Sequence, residues 1–463
     1  MNQTLSSSPA AEIFKAYDIR GIVDKTLTEE AVRSIGHAVG SEAVARQQRT
    51  VVVGRDGRLS GPKLVKELAI GLNQAGVNVI DIGVVPTPVL YFATFHLNTG
   101  SGIAVTGSHN PPEYNGLKMM LGNDTLSGAA IQALRQRIEQ NNLTHGQGEL
   151  SRADVINAYV QKIVGDVKLA RPLKIVVDCG NGVAGAIAPD LYRQLGCEVE
   201  ELFCEVDGNF PNHHPDPSQL DNLQDLIKAV VDSKADVGLA FDGDGDRLGV
   251  ISPNGSVIWP DRQLILFAED ILQKQKNLEI IYDVKCSRTL PVAISNAGGI
   301  PTMWKTGHSF MKAKLKESGA ALAGEMSGHM FFNDRWYGFD DGVYTGARLL
   351  ELLSRRQQTP AEIFAQLPDT INTPELRLDM EEGAHYQLIE KLVKNADFPD
   401  ASVSNIDGLR VDFDDGFGLV RASNTTPMLI MRFEADNDIA LERIQNRFRN
   451  LINSTQPGLS LPF

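Results

Sequence analysis

Asp242-Gly243-Asp244-Gly245-Asp246-Arg247 sets three carboxylates at alternate positions with glycine between them. Carboxylates this close repel one another unless a cation sits among them, and a hard divalent ion takes oxygen ligands. An EF-hand calcium loop opens in a similar way. It needs glycine at its sixth position and glutamate at its twelfth, which here are Arg247 and Pro253, so that reading fails. A Mg²⁺ site follows, with space in the metal's shell for a phosphate oxygen and with Arg247 able to add guanidinium donors. Thr106-Gly107-Ser108-His109-Asn110-Pro111-Pro112 is the second candidate: a serine beside a histidine where the apolar run Ile103-Ala104-Val105 stops. Alone, it reads equally as a proline-fixed turn or as a nucleophile on a rigid loop.

Further stretches could recognise a phosphorylated sugar. Gly324-Glu325-Met326-Ser327-Gly328-His329 brings a carboxylate, a hydroxyl and an imidazole together on a glycine-flanked loop that suits hydrogen bonding to a polyol. Arg421-Ala422-Ser423-Asn424-Thr425-Thr426-Pro427 offers a guanidinium, hydroxyls and turn amides, the donors that hold a phosphate. Lys118, Lys285, His308 and His329 are candidates for proton transfer or phosphate contact. Tyr17 and Arg20 lie on a short polar break. Gly180-Asn181-Gly182-Val183-Ala184-Gly185 matches GxGxxG between a strand and a helix, with acidic residues about twenty positions on. An NAD-linked dehydrogenase is therefore a rival reading, although nothing else in the chain supports hydride chemistry.

The elements that must carry these residues alternate between strand and helix. A helix is expected over 28–46, started by Thr28 with Glu29 and Glu30 in its first turn. Strand Thr50–Gly54, helix 61–76 and strand Val77–Ile82 follow. The pattern recurs from Leu173 and from Glu279, each time with an aspartate (Asp56, Asp178, Asp283) at or just past the carboxyl end of the apolar strand. Alternation of this kind predicts parallel sheets covered on both faces, in three related α/β domains. The last segment, after prolines at 360, 368 and 374, has consecutive strands between two helices and reads as a small α+β domain. The expected division is 1–154, 155–255, 256–368 and 369–463.

Composition narrows the function. The 463 residues carry a formal charge of −14, which argues against non-specific binding to nucleic acid or anionic membrane but not against an anionic small substrate. The four cysteines form no CxxC pair and read as buried thiols. Residues 82–112 lack charge but hold prolines and polar groups, so no membrane span is expected. The polar first eleven residues do not read as a signal peptide, and the expected location is cytoplasmic.

Taken together, TGSHNP, DGDGDR, GEMSGH and RASNTTP, in this order and from AYDIRG at 16–21 to the C-terminal domain, resemble the α-D-phosphohexomutase family. The resemblance implies a heart-shaped, four-domain α/β architecture: three related mixed α/β domains and a smaller α+β C-terminal one. It implies reversible interconversion of hexose 1-phosphate and hexose 6-phosphate, for mannose and glucose, through phosphoserine and a bound 1,6-bisphosphate that reorients. Ser108 would carry the phosphoryl group. Asp242, Asp244 and Asp246 would hold Mg²⁺ with the Ser108 phosphate as a further ligand, and Arg247 would contact that phosphate. Glu325 and Ser327 would read sugar hydroxyls. Arg421, Ser423, Asn424 and Thr425, with Tyr17, would grip the distal phosphate. Arg20, His109, Lys118 and His329 would surround the reacting groups, with Lys118 the preferred general base, while Lys285 and His308 line the sugar site. Glucose 1,6-bisphosphate would act as activator, the protein would be a monomer, and its product would feed nucleotide sugars for polysaccharide. An amino-sugar mutase of the same family and a phosphatase with a phosphoserine intermediate are the remaining alternatives.

Overall fold

Fully buried runs of valine and isoleucine form the central strands of three successive sheets: Thr50–Arg55, Lys174–Asp178 and Glu279–Asp283. β-branched side chains covered on both faces suit such central parallel strands. The computed structural model describes residues 8–424 and 426–463. In each sheet the next core strand lies parallel on one side of the centre: Asn78–Val84, Glu198–Leu202 and Ile300–Trp304. The one after lies parallel on the other side: Gly102–Val105, Val237–Phe241 and Leu322–Gly324. A fourth strand returns antiparallel beside that one: Tyr114–Leu121, Leu248–Ile251 and Met330–Phe332.

The sheets are therefore mixed, which corrects the purely parallel expectation. Strand–helix alternation misses the fourth strand because a short loop, not a helix, connects it to the third. Those three loops are 106–113, 242–247 and 325–329, so the serine, aspartate and Glu-Ser-His motifs occupy one equivalent position in three copies of one topology. A second repeat supports the relation. Asp56, Asp178 and Asp283 each accept a hydrogen bond at Oδ1 from the backbone amide two residues on, at 3.0, 2.9 and 3.2 Å. Each carboxylate thus turns the chain as it leaves a central strand.

Helix Glu29–Ala45 starts as expected, with the Thr28 side chain accepting from the amide of Ala31. The uncharged stretch contains a helix, Thr87–His96, which amphipathic patterning does not reveal because it is buried nearly all round. It belongs to one apolar core that runs through the first three domains, while the other face of the first sheet has a core of its own. The C-terminal domain is an antiparallel sheet, built on Leu409–Phe413, Gly416–Ala422 and Met428–Ala435, with helices Ala384–Asn395 and Asp438–Thr455 packed on it in a separate core. Two strands missing from the sequence reading, Ile371–Asn372 and Leu376–Asp379, both pair with Met428–Ala435. No helix among the described residues is long and apolar enough to cross a membrane.

Candidate active site

Ser108 sits at the head of its loop with φ +47, in the left-handed region that a side chain seldom adopts. A frame of buried charge holds it there. Asp56 accepts at Oδ2 from Thr106 Oγ1 (2.8 Å) and from the amide of Gly107 (3.1 Å). Thr106 Oγ1 in turn accepts from the Ser108 amide at 2.8 Å. Arg58, with its side chain fully buried, pairs with Asp56 and donates to four carbonyls: Ser108 (2.8 Å), Asn110 (2.5 Å), Pro111 (2.6 Å) and Tyr114 (3.1 Å). Arg20 donates to the Gly107 carbonyl at 3.1 Å and to Asn110 Oδ1, and it pairs with Asp18. From the second domain, His214 Nε2 bonds the carbonyl of His109. The serine hydroxyl is left facing Asp242 Oδ2 at 3.0 Å and His109 Nδ1 at 3.2 Å.

The aspartate loop meets the serine loop at backbone contact. A Cβ on Gly243 would stand 2.4 Å from the Ser108 carbonyl oxygen, so only glycine permits this approach. Asp242 Oδ1 accepts from the amides of Asp246 and Arg247 at 3.1 and 3.2 Å. Asp244 Oδ2 accepts from Thr87 Oγ1 at 2.5 Å, which ties the loop to the first domain. Ligand oxygens of Asp242, Asp244 and Asp246 lie within 4.8 Å of one another, all three residues buried. Burial, then the neighbouring Asp246 and Asp244, push the Asp242 carboxyl well above its usual range. Oδ1 of Asp244 and Oδ1 of Asp246 are buried without a hydrogen-bond partner among the described residues. Mutually repelling carboxylates with spare buried oxygens fit a hard divalent cation.

Lys118 reaches the same carboxylates, 2.7 Å from Asp244 Oδ2 and 2.5 Å from Asp246 Oδ2. Burial lowers its proton affinity, but Asp244 and Asp246 outweigh it and hold the ammonium well above its ordinary pKa. The pairing sets Lys118 as a counter-charge to Asp244 and Asp246. A second group, Asp246, His329 and Asp340, is also close enough to hold a metal. Lys312 stands against Asp340 and Arg247 against His329 there, as Lys118 stands against the triad, but only the triad offers the all-oxygen ligand set that a hard cation takes.

The third loop is organised around His329. Its Nδ1 lies 2.9 Å from Glu325 Oε2 and 2.9 Å from Ser327 Oγ, and its Nε2 is 3.3 Å from Asp246 Oδ1. Burial alone would make it a weaker base, yet the flanking carboxylates push it up to about 9. His109 goes the other way: burial, then Arg247 and Arg20, hold it well below its ordinary value. Glu325 Oε1 also accepts from the amide of Gly307 at 2.5 Å, next to buried His308. Tyr17 stands edge-on to His308 with ring centres 5.2 Å apart.

The C-terminal domain contacts the third domain. Arg421 pairs through Nε with Asp407 at 2.9 Å, and the same Asp407 oxygen accepts from the amide of Thr306 at 3.0 Å. Lys285 Nζ lies 3.1 Å from Glu375 Oε2. Ser423 Oγ is 3.0 Å from Thr426 Oγ1, and its carbonyl accepts from Tyr386. Asn424 lies on the same hairpin loop, and Thr425 lies outside the described residues. Among the described candidates, contacts link Ser108, His109, Lys118 and Arg247 to the aspartate triad, and Glu325, Ser327 and His329 to Asp246.

Sequence reasoning missed Asp56, Arg58, Thr87 and His214. The signal for Asp56 was present: it shares its post-strand position with Asp178 and Asp283. The GxGxxG stretch proves to be packing. A Cβ on Gly185 would fall 2.0 Å from the Cys204 carbonyl oxygen, and one on Gly182 would fall 2.9 Å from that of Cys179. All four cysteines are free and buried, as expected.

Four consecutive segments match the family models described as phosphoglucomutase/phosphomannomutase: α/β/α domain I at 11–145, domain II at 157–255, domain III at 259–371 and the C-terminal domain at 375–451. The chain is 54% identical over 458 residues to a phosphomannomutase/phosphoglucomutase of Pseudomonas putida, covering 98% of this chain and 99% of that one. It is 54% identical over 460 residues to a phosphoglucomutase of Neisseria gonorrhoeae, covering 98% of this chain and 100% of that one. A crystal structure of a phosphoglucomutase/phosphomannomutase family protein from Burkholderia thailandensis superposes with a TM-score of 0.93 at 55% identity, over 98% of this chain and 100% of that one.

Proposed function

This chain belongs to the phosphoglucomutase/phosphomannomutase family, and on that premise we propose that it interconverts the 1- and 6-phosphates of mannose and glucose, with Ser108 as the phosphoryl carrier. The observation that carries the reading is Ser108 Oγ, held in a strained turn and aimed 3.0 Å from a buried triad of aspartates. In the resting enzyme Ser108 Oγ bears a phosphoryl group. A substrate hydroxyl oxygen forms a new bond to that phosphorus, the Oγ–P bond breaks, and the hydroxyl proton passes to a nearby base. The product is a 1,6-bisphosphate, which turns end for end and returns its other phosphoryl to Oγ.

Asp242, Asp244 and Asp246 would hold Mg²⁺, which when bound neutralises charge on the transferring phosphate oxygens. Arg247 and Arg20 add donors beside the serine. His329, cationic near neutral pH and oriented by Glu325, is suited to give a proton to the departing oxygen and to recover it in the reverse half-reaction. Arg421, Ser423 and Asn424, with Tyr17, grip the distal phosphate, and Lys285, His308, Glu325 and Ser327 line the sugar. Contacts at the 3- and 4-hydroxyls do not distinguish glucose from mannose, which differ at carbon 2, so both are accepted. Mannose 1-phosphate, glucose 1-phosphate and glucosamine 1-phosphate should be compared as substrates with inorganic phosphate monitored. Turnover of the first two without phosphate release is expected. Preference for glucosamine 1-phosphate would favour the amino-sugar enzyme, and stoichiometric phosphate release would favour a phosphatase.

A further inference from the structure

Helix His308–Ser318 carries His308 in its first turn and Lys312 one turn later, so both side chains share a face. Both are buried, and Lys312 Nζ has three neighbours: Asp340 Oδ1 at 2.7 Å, His308 Nδ1 at 3.1 Å and Tyr91 Oη at 3.1 Å. Tyr91 belongs to helix Thr87–His96 of the first domain, so the lysine also joins two domains. An ammonium has three protons and no lone pair. Set against a carboxylate at 2.7 Å, Lys312 is charged and donates to all three neighbours.

This fixes the imidazole. A ring nitrogen that accepts from an ammonium must offer its lone pair, so Nδ1 is bare and the proton of the neutral ring is on Nε2. The opposite tautomer would point Nδ1–H at the ammonium, and its other carboxylate acceptor, Asp340 Oδ2, lies 3.7 Å from Nδ1, beyond hydrogen-bond range. Ser309 Oγ, 3.5 Å from Nδ1, is at the limit of contact and also approaches the Tyr17 carbonyl at 3.3 Å. His308 Nε2 is buried without a hydrogen-bond partner among the described residues. The ring stands between Tyr17 and His329, with centres 5.2 and 5.8 Å away.

We propose that Lys312 is a positioning residue that locks His308 in its Nε2–H tautomer, so that His308 serves as a hydrogen-bond donor to an oxygen of the hexose phosphate and not as a proton acceptor. The role in turnover rests on the mutase reading above, while the tautomer does not. His308 then supplies a fixed dipole that needs no rearrangement during transfer.

The test uses the full-length protein labelled with ¹⁵N-histidine, with His308 assigned by its loss in His308→Gln. Long-range ¹H–¹⁵N spectra of the free protein are expected to show a protonated Nε2 and a bare Nδ1 at His308. A protonated Nδ1 would overturn the proposal, whatever the activity. In Lys312→Met the fixed tautomer is expected to be lost and kcat/KM to fall by about tenfold, the scale of one hydrogen bond. Lys312→Gln, which keeps an N–H donor without the charge, is expected to restore the tautomer and much of the rate. His308→Ala is expected to cost little more once Lys312→Met is present, and additive losses would refute the coupling. Should Lys312→Met fail to fold, the wild-type spectrum and Lys312→Gln still decide. An Nε2–H tautomer in a protein without mutase turnover would sink the mutase reading and leave the lysine–histidine coupling standing.

Discussion

Gly243→Ala asks how closely the serine and aspartate loops must approach. The added Cβ would lie 2.4 Å from the Ser108 carbonyl oxygen, where ordinary contact begins near 3.4 Å, so the loops must part by about 1 Å. Neither side yields easily. The carbonyl is backbone held by Arg58, and the flanking Asp242 and Asp244 are fully buried. Misplacement of about 1 Å between reacting groups costs roughly 10²-fold in rate, and overpacking a buried site costs about 1–3 kcal/mol. The variant is therefore expected to fold, to lose roughly 10²-fold in kcat with KM changed far less, and to denature at lower urea. Gly165→Ala is the control. It lies in helix Ile156–Asp166 with nothing within 4 Å of the new Cβ, so it should keep full activity and gain up to about 1 kcal/mol in stability. Steady-state kinetics and urea titration of the two variants make the comparison. Gly243→Ala within threefold of wild-type kcat would refute the claim that loop contact sets the transfer distance.

Three further outcomes follow from the same geometry. Arg58→Lys gives three donors where five acceptors now sit, so at least two of the five hydrogen bonds are lost at about 0.5–1.5 kcal/mol each. A lower urea midpoint together with loss of Ser108 phosphorylation by intact mass is expected. Glu375 is raised by burial but held down to about 2 by Lys285 and Arg377, so the stability it adds is present above its unfolded pKa near 4.5 and is lost as pH falls toward 2. The stability gap between wild type and Glu375→Gln should stay constant above pH 5 and close in acid, as followed by urea midpoints. Mg²⁺ at 100 times its dissociation constant should stabilise the folded protein by about 2.7 kcal/mol, and Asp246→Ala should abolish that shift in thermal melts.

The parts of this protein that repeat a local rule were legible from its letters. Thr28 with Glu29 and Glu30 marks a helix start, and Thr50–Arg55 reads as a buried strand because its valines are covered on both faces. The motif residues were legible because carboxylates, hydroxyls and histidines cluster beside glycines. What escaped depends on contacts far apart in sequence. Arg58 meets carbonyls fifty or more residues away, and Thr87 meets Asp244 across a domain boundary. Helix Thr87–His96 escaped because a helix covered all round has no polar face. The pairing of Lys118 with Asp244 and Asp246 was likewise not legible, because only the fold brings residues 126 and 128 positions apart together.

The most direct test of the account is the fate of the phosphate on Ser108. Protein carrying ³²P at Ser108 should be mixed with unlabelled glucose 1-phosphate and quenched within one turnover. Label is expected to leave wild type into hexose bisphosphate and hexose 6-phosphate at the rate of turnover, and Ser108→Ala is expected to take up no label and to have no mutase activity. Label that stays on the protein while product forms, or Ser108→Ala turning over at the wild-type rate, would contradict it.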